Sequence, residues 1–238
     1  STSSSALQSL DDCFNYLRNY QYDCSEQVSS RLMAMVAMQD ALLAFGALKP
    51  DDIGKYKNRV EEDIALLEKR QNDSGGFGLW SAEEPKKWPY VSIQVTQALL
   101  LAKAKLYPVN ERVLKKAVAH LKEIEKFIPA EYSTSAKLAL QARALNIRHL
   151  AHDDDSAAAR ELLIEATGDK FEEQPIDQVK SSLPLEMAAW LLPVLKTNQS
   201  YSKEIAFLRK LINSQISETA STASTNDSGY GDWNYSLF

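Results

Sequence analysis

The stretch Asp73-Ser-Gly-Gly-Phe-Gly-Leu-Trp80 decides how the fold of this chain is read. Its three closely spaced glycines permit a tight turn, and Phe77 and Trp80 offer apolar anchors to neighbouring helices. A second version, Asp227-Ser-Gly-Tyr-Gly-Asp-Trp233, lies near the C-terminal end of the sequence. Such repetition is the mark of a repeat architecture. Around the two turns, apolar residues recur with helical spacing, while strict strand-like alternation is scarce. The pattern predicts helices over about Ala6–Asn19, Ser25–Gly46, Asp51–Arg70, Val91–Leu106 and Asn110–Phe127. Further helices fit Ser133–His149, Ser156–Thr167, Leu183–Leu195 and Ser202–Ser214. Helices in antiparallel pairs, joined by short connections and with no strands to supply a sheet, imply an all-α bundle, solenoid or ring. The Ser-Thr-Ala tract from Ser217 to Ser228 reads as a flexible loop.

The 238 residues, 45% of them hydrophobic, suffice for one sizeable core, so the expectation is one domain over 1–238. A formal charge of -5, with basic residues dispersed among acids, argues against nucleic acid as a partner. No apolar run reaches the roughly 18–20 residues of a membrane span, and the Ser-Thr-rich start lacks the regions of a signal peptide. The expectation is a soluble piece of a longer secreted protein. Two cysteines are too few for a disulfide scaffold. Cys13 falls in a helical pattern with Leu10, Phe14 and Leu17 and reads as a buried thiol, although a Cys13–Cys24 disulfide is also compatible with the sequence.

The chemistry centres on Tyr22-Asp-Cys-Ser-Glu-Gln27, which places a thiol three residues before a carboxamide where a helix begins. Loss of ammonia from Gln27 with capture by Cys24 would close a thioester ring of about 15 atoms, whose carbonyl is an acyl donor to a nucleophile. Glu26 falls in the first helical turn, where a carboxylate suits the helix dipole. A thioester lasts only if water is kept away, and Tyr20, Tyr22, Trp80, Trp88 and Tyr90 are the candidate aromatic shield, each of them also a plausible packing residue.

The longer string Tyr20-Gln-Tyr-Asp-Cys-Ser-Glu-Gln-Val-Ser-Ser-Arg31 resembles the thioester motif of the alpha-2-macroglobulin and complement family, particularly its bacterial members. There an aromatic-rich approach leads into Gly-Cys-x-Glu-Gln and then Thr/Ser-Ser-Arg. Asp23 stands where the family has glycine, and aspartate reaches glycine-type backbone angles only at a cost. The Asp73–Trp80 turn, with Gln71 before it and Trp88 and Tyr90 after it, resembles the Gln-x-x-x-Gly-Gly-Phe-Gly-x-Trp turn of alpha/alpha-toroid proteins. That superfamily holds the thioester domains, terpenoid cyclases and prenyltransferase β-subunits, so the turn speaks to fold more than to function.

The resemblance implies an alpha/alpha toroid of concentric helical hairpins, incomplete at its C-terminal end. It also implies a non-enzymatic, protease-trapping role in a periplasmic, envelope-anchored or extracellular parent. Cleavage of a bait segment elsewhere would uncover the Cys24–Gln27 bond, and lysine amines of the target protease would be acylated. Partners would be that protease and other domains of the parent, and no cofactor is implied. In complement relatives a histidine extends the reaction to hydroxyls. The corresponding stretch here, near Ala130–Thr134, carries Tyr132 and Ser133 in place of a histidine, so amines should predominate; His120, mid-helix, is the nearest substitute.

His149 and His152 with Asp153, Asp154 and Asp155 offer metal-binding types, as a cyclase or prenyltransferase would need. The run immediately precedes Ser156-Ala-Ala-Ala-Arg160, however, where acids cap and solvate a helix start, so no metal site is expected. A cysteine protease needs a histidine and an orienting amide beside Cys24, and no local signature provides them. The remaining alternative is a toroid interaction module in which the thioester never forms.

Overall fold

A computed structural model describes residues 23–44, 50–169, 179, 182–218 and 223–225. The helix expected at Ala6–Asn19, Cys13, Tyr20, Tyr22 and the second glycine turn lie outside the described residues. The helices are α1 Ser25–Ala44, α2 Pro50–Lys69, α3 Pro89–Ala104, α4 Glu111–Lys122, α5 Thr134–Leu150, α6 Ser156–Thr167, α7 Leu185–Leu195 and α8 Ser202–Ser214. The class is all-α, as the periodicity predicts. The chain divides into two compact units, one through Leu121 and one from Lys122.

In the first unit α1 packs against α2 and α3. Val28, Leu32, Met35 and Val36 recur on one face of α1 and meet Tyr56, Val60, Ile64 and Leu67 of α2 and Val91, Val95, Ala98 and Leu99 of α3. Each such side chain taken fully out of water contributes about 1.5–3 kcal/mol. α3 is buried over most of its circumference, with Ser92, Gln94 and Thr96 buried as well as its apolar residues. It begins two residues earlier than the periodicity suggests, because Pro89 takes the first helical position, where its missing N–H costs nothing. It ends at Ala104, and exposed Leu106 takes a left-handed φ of 64°.

In the second unit α7 packs against α5, α6 and α8 around Leu138, Leu145, Leu163, Leu191, Phe207 and Leu208. The expected helix Asn110–Phe127 stops at Lys122, followed by a 3-10 turn at Ile124–Phe127. The expected loop at Ser217–Ser228 is corrected in part. Ile216–Glu218 (β1) and Ala223–Thr225 (β2) form an antiparallel ladder in the register Ile216↔Thr225, which gives this polar segment partners for its backbone groups.

Candidate thioester site and its supports

Cys24 occupies the N-cap of α1, since its carbonyl accepts the first helical hydrogen bond from the Val28 N–H at 2.9 Å. Gln27 is therefore the third helical residue. In the capping-box arrangement, side chains at the N-cap and at this third position reach across the same turn toward each other's backbone N–H groups. The Cys-x-x-Gln spacing thus puts a thiol and a carboxamide on the same first turn, at the positive end of a helix. Cys24 is a free cysteine, 8% exposed, and the Gln27 Oε1 atom is closed off from solvent.

The turn is held from outside α1 by the glycine loop. The Ser25 N–H donates to the Leu79 carbonyl at 2.8 Å, and Ser25 Oγ donates to the Gly78 carbonyl at 2.7 Å. These bonds explain why the loop has its composition. Gly75 sits at φ +87°, and a Cβ there would lie 2.4 Å from the Lys116 carbonyl oxygen. At Gly78 a Cβ would lie 1.7 Å from the Ser81 carbonyl oxygen, so no larger residue fits that backbone path. Phe77 is buried in the core, and its N–H donates to Ser92 Oγ on α3 at 3.0 Å. Gln71 fastens the turn through Nε2 to the carbonyls of Gly75 at 3.1 Å and Val113 at 2.8 Å.

Glu84 closes the far side of the loop. Its carboxylate accepts from the N–H groups of Leu79 at 3.0 Å, Trp80 at 2.5 Å and Ser81 at 2.9 Å, and from the Trp88 indole at 2.8 Å. Partial burial alone would push its pKa up, but these donors hold it below the ordinary carboxylate value.

Two further supports reach the motif from distant sequence. Gln94 Nε2, buried on α3, donates to the Glu26 carbonyl at 3.1 Å and contacts Ser29 Oγ at 3.2 Å and Ser30 Oγ at 2.9 Å. Arg31 makes a paired bond to Asp63 of α2, Nε at 2.8 Å and Nη2 at 2.7 Å, and Nη2 also reaches Asp23 at 3.0 Å. Burial opposes the Arg31 charge, and bonding to Asp63 and Asp23 overcomes it and raises its pKa. Asp23, at the position where the resembled motif has glycine, is therefore one anchor of an ion network that includes Arg59, 3.8 Å away.

Arg70 is also buried at this site. Its Nη1 donates to Ser25 Oγ at 3.2 Å and toward the Leu79 carbonyl at 3.5 Å. Asp63, Arg70, Glu84 and Gln94 were not singled out from sequence. No local pattern marks them, although a Glu and an Arg flanking a glycine turn are the type of residue that satisfies loop backbone groups.

The structure ties the first turn of α1 to the Gly78–Leu79 backbone through Ser25. Of the candidate shield, Trp80 is 58% exposed, while Trp88 and Tyr90 are half-buried against the core of the first unit. His120 lies under the glycine turn, its Nδ1 3.1 Å from the Ser74 carbonyl oxygen.

Tyr132 and Ser133 belong to the second unit. Ser133 caps α5, its Oγ accepting from the Ala136 N–H at 3.2 Å, and Tyr132 is half-buried with its phenol pKa raised by burial and by Glu131. The acidic run is committed to helix geometry. Asp155 caps α6 through the Ala158 N–H at 3.1 Å, Asp153 pairs with Arg148 at 2.8 Å, and Asp154 lies 2.5 Å from His149 Nδ1. Among the described residues no group of three or more His, Cys, Asp or Glu is placed to hold a metal ion. Nor is any helix among them long and apolar enough to cross a membrane.

No protein-family profile matches the chain. An alpha-2-macroglobulin homolog of Yersinia pestis is 31% identical over 102 residues, 43% of this chain, and the chain spans only 5% of that relative's length. The native conformation of Escherichia coli alpha-2-macroglobulin superposes with a TM-score of 0.65 at 22% identity, over 85% of this chain and 12% of that one. The trypsin-activated E. coli protein does so with a TM-score of 0.60 at 22% identity, over 80% and 13%. The chain is thus similar to bacterial alpha-2-macroglobulins, in sequence over those 102 residues and in its all-α fold over most of its length.

Proposed function

We propose that this relative of the bacterial alpha-2-macroglobulins is a thioester domain, with Cys24 and Gln27 joined through Sγ and the former carboxamide carbon. The observation that carries the reading is the placement of Cys24 at the N-cap and Gln27 at the third residue of α1, with Cys24 buried and the intervening Ser25 bonded to the glycine loop. The positive end of the helix favours a sulfur leaving as thiolate.

In the parent protein, cleavage of a bait segment outside this chain exposes the bond, and a lysine amine of the attacking protease takes the Gln27 acyl group. The domain acts once, as a stoichiometric inhibitor and not an enzyme, in a periplasmic, envelope-anchored or extracellular setting. That the E. coli protein of the same fold is described as trypsin-activated supports a protease as the target class.

The test is the intact mass of freshly purified protein. An intact thioester lowers it by one ammonia, on the order of 17 Da, and leaves Cys24 unlabelled by iodoacetamide. Methylamine reverses both signs, and Cys24→Ala removes the methylamine response. A chain of full encoded mass whose Cys24 alkylates at once would sink the reading in favour of a helical interaction module.

A further inference from the structure

We propose that Arg70 is the positioning residue that stabilises the departing Cys24 sulfur when the thioester opens. The inference rests on the thioester reading above. Arg70 is 8% exposed, and its bonded partners are a hydroxyl and a carbonyl, Ser25 Oγ and the Leu79 oxygen. Among the described residues the other two buried arginines are each paired to carboxylates, Arg31 to Asp63 and Asp23, and Arg148 to Asp153 and Asp155. For Arg70, no carboxylate lies within 4.0 Å among the described residues.

A guanidinium is effectively always charged, so its burial without an ion-pair partner has to be offset by its surroundings. Burial lowers its pKa, against the favourable charges of Asp23 and Glu84 and of Cys24 once its sulfur is ionised. Asp23 is already bonded to Arg31, and Glu84 to three backbone N–H groups and an indole. Cys24 differs from both, because in a thioester its sulfur is neutral and its charge appears only on opening.

The balance of the step makes this specific. A neutral amine nitrogen attacks the Gln27 acyl carbon, the C–N bond forms and the C–S bond breaks. The bond pair goes to Sγ as thiolate, and the surplus amine proton goes to water. Negative charge grows on sulfur during the step, one residue before the Ser25 hydroxyl to which a buried cation is already bonded. Arg70 therefore interacts more strongly with the transition state than with the resting bond, which is the condition for accelerating the step.

The experiment uses the 238-residue chain as wild type, Arg70→Gln, which keeps a donor for Ser25 without the charge, and Arg70→Lys, which keeps the charge. Three quantities are measured: the initial mass deficit, the rate of methylamine opening, and iodoacetamide alkylation of the released thiol near pH 7 and near pH 10. The expected result is an unchanged deficit with R70Q opening about tenfold slower and R70K within about threefold of wild type. Alkylation of R70Q is expected to be slower near neutrality but equal near pH 10, where the thiol ionises without help.

An R70Q opening rate equal to wild type overturns the inference, and so do R70Q and R70K slowed alike with alkylation unchanged at both pH values. If R70Q loses its deficit, alkylation still decides, and a wild-type rate near neutrality counts against Arg70. A wild-type chain with no deficit defeats the thioester reading itself, a separate outcome.

Discussion

Replacing Asp63 with alanine tests the view that a buried ion pair fixes the start of α1. The side chains of Arg31 and Asp63 are each 2% exposed, with two bonds of 2.7 and 2.8 Å between them. Asp63→Ala leaves the Arg31 cation in place without its main partner, and Arg59, 3.5 Å from the same carboxylate, loses an anion too. Breaking one side of a buried pair costs about 3–5 kcal/mol.

Asp23 remains 3.0 Å from Arg31, but its side chain is 44% exposed and better screened, so the expected loss is near the lower end, about 3 kcal/mol. In urea, with a slope of about 2 kcal/mol/M, the midpoint should fall by about 1.5 M. The double substitution Arg31→Met with Asp63→Leu should recover stability to within about 2 kcal/mol of wild type, because it removes both charges together. Urea denaturation of Arg31→Met, Asp63→Leu and this double variant closes a double-mutant cycle, in which a coupling of at least about 2 kcal/mol is expected. An Asp63→Ala loss below about 1 kcal/mol, or a double variant no better than the worse single one, would refute the reasoning.

Gly78→Ala should destabilise the first unit by on the order of 3 kcal/mol and abolish the ammonia deficit, since its Cβ would lie 1.7 Å from the Ser81 carbonyl oxygen and displace the carbonyl that accepts from Ser25. Gly54→Ala, within α2 and with nothing within 4 Å of the added carbon, should instead stabilise by about 0.5–1 kcal/mol by thermal melt. Glu84 predicts a pH dependence. Its pKa is held below the ordinary value, so its contribution is fully present above that value and is lost as pH falls through the lowered one. Glu84→Gln should therefore cost about 1–2 kcal/mol near neutral pH, and the gap to wild type should shrink steadily in acid. A gap that stays constant down to about pH 3 would remove Glu84 from the account of the loop.

The readable part of this protein was local. Helix boundaries at Ser156–Thr167 and Ser202–Ser214 agree with the structure residue for residue, because each helix start has a nearby capping or turn signal. The Cys24–Gln27 spacing also needed only the geometry of one helical turn. The ladder joining Ile216–Glu218 to Ala223–Thr225 was missed because Ser, Thr and Ala describe a polar loop and a short hairpin equally well.

What the sequence alone determined was therefore an all-α chain, glycines that permit a tight turn, and a thiol and a carboxamide at one helix start. Only the tertiary structure decided what surrounds them: Asp63 beneath Arg31, Gln94 against the first turn, the Leu79 carbonyl on the Ser25 N–H, and Arg70 on the Ser25 hydroxyl. The physical reason is range. Helix hydrogen bonds join neighbours four residues apart and leave a periodic trace, whereas the polar groups satisfied inside this core are bonded across tens of residues, where burial chooses the partner and no spacing rule records it.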